Sequence, residues 1–189
     1  MRASSYFSMQ VACPTFDGDP LLGSLRTLVE RATRAARMPE KRQVYAGIAD
    51  VLLQNLERVE YGIWDYWNEP GKVAAGYQDW VDGLEGKEAP REAAPPGAPA
   101  YTLFTTALLM KKGSNTDTRM QAVCNVSDGK LWRRKTFRRI LSDGVRNLNF
   151  AFVRDEVIYL YPNDPAFAVT EGHLLNSGHF PYLRKVEDD

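Results

Sequence analysis

Residues 41–68 read KRQVYAGIADVLLQNLERVEYGIWDYWN and carry the strongest periodicity in the chain. Their apolar side chains recur at steps of three and four residues, which is the spacing of one face of an α-helix. These side chains are Tyr45, Ile48, Leu52, Leu56, Val59, Ile63 and Tyr66/Trp67. Pro70 and Gly71 follow, and both residue types commonly end a helix. The sequence therefore predicts one long amphipathic helix over residues 41–68.

Several shorter segments alternate or are apolar on both faces, as strands are. Residues 5–13 place apolar side chains at every second position, which predicts a half-buried strand. Residues 101–110 are apolar or threonine throughout, which is typical of a central strand. Residues 147–154 and 156–162 predict a hairpin. We expect an α+β fold in which a mixed sheet of about four strands packs against the long helix and several shorter helices.

Capping and turn residues predict the shorter helices. Asp19 can cap a basic helix that begins at Pro20 and continues to about Arg37. Two helices, over residues 116–125 and 128–142, flank a tight turn, and a last short helix is expected near residues 169–177.

The chain length and one proline-rich stretch set the domain organisation. A chain of 189 residues fits one domain. The stretch at about 86–100 contains four prolines in ten residues, which neither a helix nor a central strand tolerates. We therefore expect residues 1–189 to form a single α+β domain with a Pro/Ala-rich linker or mobile loop at about 86–100.

Composition excludes several classes of protein. Lys+Arg and Asp+Glu each total 24, so the whole surface is not that of a nucleic-acid or membrane binder. No run of apolar residues is long enough to predict a membrane span. Residues 1–13 lack the apolar core of a signal peptide. Cys13 and Cys124 are isolated thiols, as in a reducing compartment, so a cytoplasmic protein is expected.

Signatures of catalysis and of cofactors are absent from the sequence. The histidines are His173 and His179, and neither cysteine lies in the paired spacing of a zinc site. Glycine-rich phosphate-binding loops do not occur. Cys124 lies between Val123 and Val126, and apolar surroundings reduce the reactivity of a thiol. We expect no metal, no cofactor and no catalytic residue, and an uncharacterised enzyme using Cys124 and a histidine is the second alternative.

Aromatic residues are concentrated in an acidic part of the chain. Residues 57–92 hold nine acidic and four basic side chains, a balance of −5. The aromatic side chains in this region that could bind a partner are Trp64, Tyr66, Trp67, Tyr77 and Trp80. They could continue the core face of the long helix, or they could form a patch that binds another protein, because Trp and Tyr are enriched in interfaces.

A basic region follows. Residues 111–146 carry ten Lys/Arg against three Asp, a balance of +7. The predicted helix 128–142 and the turn before it are similar to a helix-turn-helix, and the hairpin would then be a wing. On this interpretation Lys130, Arg133, Arg134 and Arg138 contact phosphates or base edges. The acidic hairpin tip at Asp155 opposes that interpretation. The alternative is a solvated helix that balances the acidic region before it.

A set of loose motifs suggests a family. They are the strand 101–109, Leu160-Tyr161-Pro162, Asp164-Pro165, Val169-Thr170-Glu171, Leu174-Leu175 and Pro181-Tyr182-Leu183. From Tyr101 onward the chain resembles an uncharacterised domain-of-unknown-function family of cyanobacteria and plastids, whose preceding helix would match residues 41–67. The resemblance implies an α+β domain with no assigned activity or cofactor. The membrane segment common in that family has no counterpart here.

The sequence favours a non-catalytic role. An acidic aromatic region and a basic helix on a neutral chain suit complementary protein contacts. We therefore expect a protein-interaction or scaffolding/assembly subunit, with a protein partner or self-association, and nucleic-acid binding through helix 128–142 is the alternative.

Overall fold

The structure is a computed structural model that describes residues 3–86, 99–162, 167–176, 180 and 182–189. The helices and strands in chain order are β1 (Ser4–Thr15), α1 (Pro20–Arg34), α2 (Met38–Gln54), β2 (Tyr61–Trp67), α3 (Pro70–Gly86), β3 (Ala100–Lys111), α4 (Asn115–Cys124), α5 (Arg134–Arg139), β4 (Val153–Tyr161), α6 (Glu171–Leu175) and β5 (Arg184–Lys185). Residues 87–98, which include most of the predicted linker or mobile loop at about 86–100, lie outside the described residues.

The strands form one sheet in the order β4-β3-β1-β2-β5. All four neighbouring pairs of strands are antiparallel, and β1 pairs with β3 from Ser4 opposite Lys111 to Thr15 opposite Ala100. The α+β fold is confirmed. The sheet differs from the expected one because it has five strands and is antiparallel rather than mixed. β5 has two residues, which is too short to leave an alternating pattern.

The main core lies on one face of the sheet. Alternate β1 side chains (Phe7, Met9, Val11 and Cys13) meet α1, α2 and α4 there, together with residues of β3. The helical turns that follow α5 pack against the same core. Burial of this face explains the alternation of β1, and the strands predicted at 5–13 and 101–110 are confirmed.

The opposite face carries two smaller apolar clusters. One lies under α3 and contains Tyr6, Val73 and Tyr77. The other contains Tyr61 and Tyr101 and is covered by the segment around α6 and β5. β1 is therefore buried on both faces at the centre of the sheet.

The long helix predicted over residues 41–68 is wrong in its second half. α2 ends at Gln54, a 3₁₀ turn follows over Leu56–Arg58, and residues 61–67 form β2. Large side chains project from both faces of β2, which removes the alternation that marks a strand. Their spacing happens to continue the three- and four-residue steps of α2, so periodicity alone could not separate the two elements.

α3 was not expected from the sequence. Pro70 was taken to end a helix, but it lies in the first turn of this one. Proline fits the first turn because the amide hydrogen it lacks has no intrahelical partner there. Gly76 lets the helix approach the sheet, since a β-carbon at this position would lie 2.7 Å from the ring of Tyr6.

Two further predictions are wrong. Residues 147–162 do not form a hairpin: Phe150–Phe152 is a 3₁₀ turn, and Val153–Tyr161 is one strand at the edge of the sheet. Residues 128–142 are not one helix but a 3₁₀ turn (Asp128–Lys130), α5 and a π-helical turn (Ile140–Gly144). The winged-helix interpretation therefore loses its wing, and the helix that it assigns to recognition begins at Arg134 and not at residue 128. The charged residues Arg154, Asp155 and Glu156, which suggested a hairpin tip, lie within β4. Charged residues are typical of an edge strand, because they hinder pairing with a further strand.

The remaining helices agree with the sequence. α1 begins at Pro20 with the Asp19 side chain accepting from Leu21 N at 2.9 Å, as the capping pattern predicts. α4 is confirmed to within one residue at each end, and the helix predicted near 169–177 is shortened to Glu171–Leu175.

Candidate interaction surfaces

The basic residues 130–139, called here the paired basic segment, are held by contacts within the protein. Arg134 donates hydrogen bonds to the carbonyl oxygens of Leu56 and Val59, the latter at 3.1 Å. Its Nη2 lies 3.0 Å from Asp188 Oδ1, and its Nε lies 3.4 Å from Glu57 Oε2. The side chain is only 12% exposed, so this arginine is committed to the fold.

Arg133 and Arg138 are also paired. Arg133 Nε lies 3.4 Å from Glu187 Oε2, and its Nη1 donates to the Asp188 carbonyl oxygen at 2.6 Å. Arg138 Nη2 lies 3.2 Å from Glu57 Oε1. Three of the four residues predicted to contact nucleic acid therefore already have acceptors in the protein.

The basic residues at the two ends of the segment, Arg139 and Lys130, differ in their contacts. Arg139 donates to the carbonyl oxygens of Val123 and Asn125 at the end of α4. Carbonyls at a helix C-terminus lack intrahelical donors and attract a cation, so Arg139 stabilises α4. Lys130 is exposed, and none of the ion pairs among the described residues involves its ammonium group.

The predicted aromatic patch is divided between the two faces of β2. Trp64 and Tyr66 pack against the main core. Trp64 Nε1 donates to Leu131 O at 2.9 Å, and the Tyr66 hydroxyl donates to Asp117 Oδ1 at 2.6 Å. Burial and the hydrogen bond to Asp117 raise the pKa of Tyr66. These two residues therefore join β2 to the helices beneath it.

Trp67, Tyr77 and Trp80 lie on the other face. They belong to the small cluster under α3, where Tyr77 is buried and the two tryptophans are partly buried. The Lys72 ammonium lies 4.4 Å from the centre of a Trp67 ring, a cation–π contact. The five aromatic residues thus do not form one surface patch.

A second basic region surrounds the turn between α1 and α2. We call residues 31–42 the basic corner. Arg31, Arg34, Arg37 and Arg42 are all exposed there. Arg34 makes one surface ion pair with Glu30 at 3.7 Å, with both side chains more than half exposed. Among the described residues, no hydrogen bond or ion pair occupies the other three guanidinium groups.

The basic corner borders a shallow pocket of about 340 Å³. Its lining consists of Met38, Pro39, Arg42, Gln43, Ala46, Asn149 and Phe150. Met38, one of these lining residues, is 56% exposed. The pocket therefore combines apolar lining residues with an exposed arginine. In the sequence, this surface is visible only as four arginines close to Met38-Pro39. Their spacing does not show that the guanidinium groups are exposed.

Both cysteines are buried, and one of the two histidines, His173, lies among the described residues. Burial raises the pKa of the Cys13 thiol to about 12, and burial raises the pKa of Cys124 as well. His173 Nδ1 accepts from the Thr170 amide at 3.1 Å, while His179 lies outside the described residues. Within the described ranges, no three His, Cys, Asp or Glu residues are placed to hold a metal ion.

Similarity to known proteins does not add to this description. Comparisons with protein-family models, with curated proteins and with solved structures gave no match. The resemblance to a family of cyanobacteria and plastids stays a prediction. Among the helices that the structure describes, none has the length and apolar character needed to cross a bilayer.

Proposed function

We propose that this protein is a non-catalytic interaction or assembly subunit that binds an acidic segment of a partner protein at the basic corner. The observation that carries the proposal is the group of four exposed arginines in the basic corner, of which Arg42 also lines the pocket beside Met38. Guanidinium groups without internal partners are free to bind carboxylates, and a planar guanidinium can bind them through two hydrogen bonds.

The pocket indicates what else the partner segment carries. The apolar lining residues, which include Ala46 and Phe150, suit one bulky aliphatic or aromatic side chain. Met38, which also lines the pocket, adapts its shape easily, because methionine is unbranched and flexible. A partner segment with one apolar anchor between acidic residues would match both the pocket and the arginines.

The apolar pocket also favours a protein over a nucleic acid. Phosphate binding requires cations and gains nothing from an exposed methionine. In the paired basic segment, the arginines first assigned to nucleic acid have acceptors within the chain. Protein binding is therefore the better-supported role.

The test uses a short synthetic peptide of glutamate and aspartate with one central leucine, labelled for fluorescence anisotropy. We expect Arg37→Glu/Arg42→Glu to weaken its binding by at least about tenfold, because attraction becomes repulsion. Lys112→Glu/Arg119→Glu is the matched control, since it makes the same charge change on exposed residues outside both basic regions.

A third variant tests the pocket. Met38→Ser should weaken the leucine peptide but leave a peptide with serine in place of leucine unchanged. Equal losses in the two charge-reversed variants would contradict the proposal, because they would indicate attraction without a site. Tighter binding of a DNA duplex than of the peptide, unaffected by Met38→Ser, would instead support the nucleic-acid alternative.

A further inference from the structure

Residues 183–189, called here the acidic segment, dock on the paired basic segment through main-chain hydrogen bonds. The Arg134 amide donates to Glu187 O at 2.8 Å, and the Glu187 amide donates to Trp132 O at 2.9 Å. The Val186 amide donates to Glu60 O at 2.7 Å. The acidic segment is therefore bound as an extended strand, and β5 within it pairs with β2.

The side chains of the same segment add charge complementarity. Glu187 and Asp188 pair with Arg133 and Arg134, as described above. Asp189 Oδ1 accepts from the Lys135 amide at 3.0 Å. Glu187-Asp188-Asp189 is the one run of three acidic residues in the sequence. The paired basic segment is thus a binding site for an acidic strand, and its present occupant belongs to the same chain.

The docking is peripheral compared with the core. Leu183 and Val186 are the buried anchors, whereas the side chains of Glu187 and Asp188 are 57% and 86% exposed. β5 contributes only two residues to the sheet. Exposed ion pairs stabilise weakly and are screened by salt. Separating the acidic segment from its site uncovers Val186 of the main core and Leu183 of the cluster on the opposite face, and docking on a second copy buries both again.

We propose that two copies of this chain associate by exchanging the acidic segment, so that residues 183–189 of one copy dock on residues 130–139 of the other. A second copy of the chain carries the same acidic run, Glu187-Asp188-Asp189, and can therefore supply the strand that this site binds. The contacts made between copies are the same as those within one copy, so exchange requires no new interface. This inference uses residues distinct from those of the basic corner and does not rest on the function proposed there.

Paired cysteines test the exchange directly. Arg133 and Glu187 are opposite each other in a β-bridge, which places cysteines at a separation that a disulfide can span. Arg133→Cys and Glu187→Cys variants are prepared separately, mixed in reduced form and then oxidised mildly. Neither variant can form this bond alone, so a covalent heterodimer reports exchange. The native Cys13 and Cys124 are buried.

Two controls decide the outcome. A mixture of Glu187→Cys with Arg31→Cys measures random collision, and we expect exchange to give about tenfold more heterodimer than this mixture, because docking raises the effective concentration. The double variant Arg133→Cys/Glu187→Cys tests docking within one copy. Heterodimer at the collision level, while the double variant closes its internal disulfide, would overturn the proposal. Failure of the double variant to close would overturn it too, since the docked strand would then be absent.

Discussion

The paired basic segment and the basic corner each hold four arginines, but the two regions use them differently. In the paired basic segment, the guanidinium groups bind carbonyl oxygens and carboxylates from distant parts of the chain. In the basic corner, one arginine makes a single exposed ion pair. Both regions are basic, but of the two only the basic corner has guanidinium groups without a partner among the described residues.

The difference shows that charge density in a sequence does not identify a binding surface. Arginine stabilises a fold when it meets carbonyls that lack intrahelical donors, as at the ends of helices and turns. The same residue serves binding when it is exposed and unpaired. The first use should appear as a loss of stability on substitution, and the second as a loss of binding. Single substitutions, measured by unfolding and by binding, separate these two uses of arginine.

The largest effect is expected for Arg134→Met. The substitution removes the guanidinium donor from the carbonyls of Leu56 and Val59 and takes one cation away from Glu57 and from Asp188. We expect a loss of about 3 kcal/mol in the free energy of unfolding, measured with urea. Arg31→Met in the basic corner is the matched control and should change stability by less than about 0.5 kcal/mol. Equal losses would remove the distinction between the two regions.

Asp19→Asn tests another arginine that is paired within the fold, Arg58, by removing the charge of its carboxylate partner. Arg58 donates to Asp19 Oδ1 at 3.1 Å and also contacts Oδ2, and the Asp19 side chain is fully buried. The hydrogen bond from Arg58 lowers the pKa of Asp19. Asparagine keeps the shape and part of the helix cap but loses the charge. We expect a loss of about 2 kcal/mol in urea unfolding at pH 7.

The pH dependence of this loss has a definite sign. The folded pKa of Asp19 lies below its unfolded value of about 3.9. The ionised carboxylate therefore stabilises the fold above the unfolded pKa, and this contribution is lost as the pH falls through the folded pKa. The difference between wild type and Asp19→Asn should shrink over that acid range. A difference that stays constant down to the lowest pH at which the protein folds would contradict the ion pair.

Local chemistry explains which elements the sequence could predict. Asp19 and Pro20 define the start of α1 through contacts within a few residues, and β1 alternates because one face lies on the main core. β2 could not be separated from α2, because its two faces are both covered and its spacing imitates a helix. α3 was hidden by Pro70, which ends helices and also begins them.

The interaction surfaces were predictable only in part. The arginines of both regions are visible in the sequence, but their partners are not. Arg134 and Leu56 are 78 positions apart, and nothing near either residue indicates the contact. The aromatic patch failed as a single surface for a related reason. Trp64 and Trp67 fall on opposite faces of β2, which requires a strand where a helix was expected.

Arg139→Met should have an intermediate effect. Arg139 supplies hydrogen bonds to the carbonyls of Val123 and Asn125 at the end of α4, and its side chain is partly buried. We expect a loss of about 1.5 kcal/mol, between the buried and the exposed cases, because charged hydrogen bonds to carbonyls contribute on that scale. Thermal and urea unfolding provide the measurement. A neutral result would show that water replaces this cap without cost.

The smallest effect should come from Arg138→Met, although Arg138 lies in the paired basic segment. Its partner is Glu57, and the two side chains are 51% and 74% exposed. Such a pair contributes less than about 0.5 kcal/mol, so the substitution should match Arg34→Met at the basic corner. If Arg138→Met instead destabilises as much as Arg139→Met, an ion pair with a carboxylate would be enough to make an arginine important for stability, whether or not the pair is buried. If it is neutral, what commits an arginine to the fold is burial of its acceptors, not the presence of a carboxylate beside it.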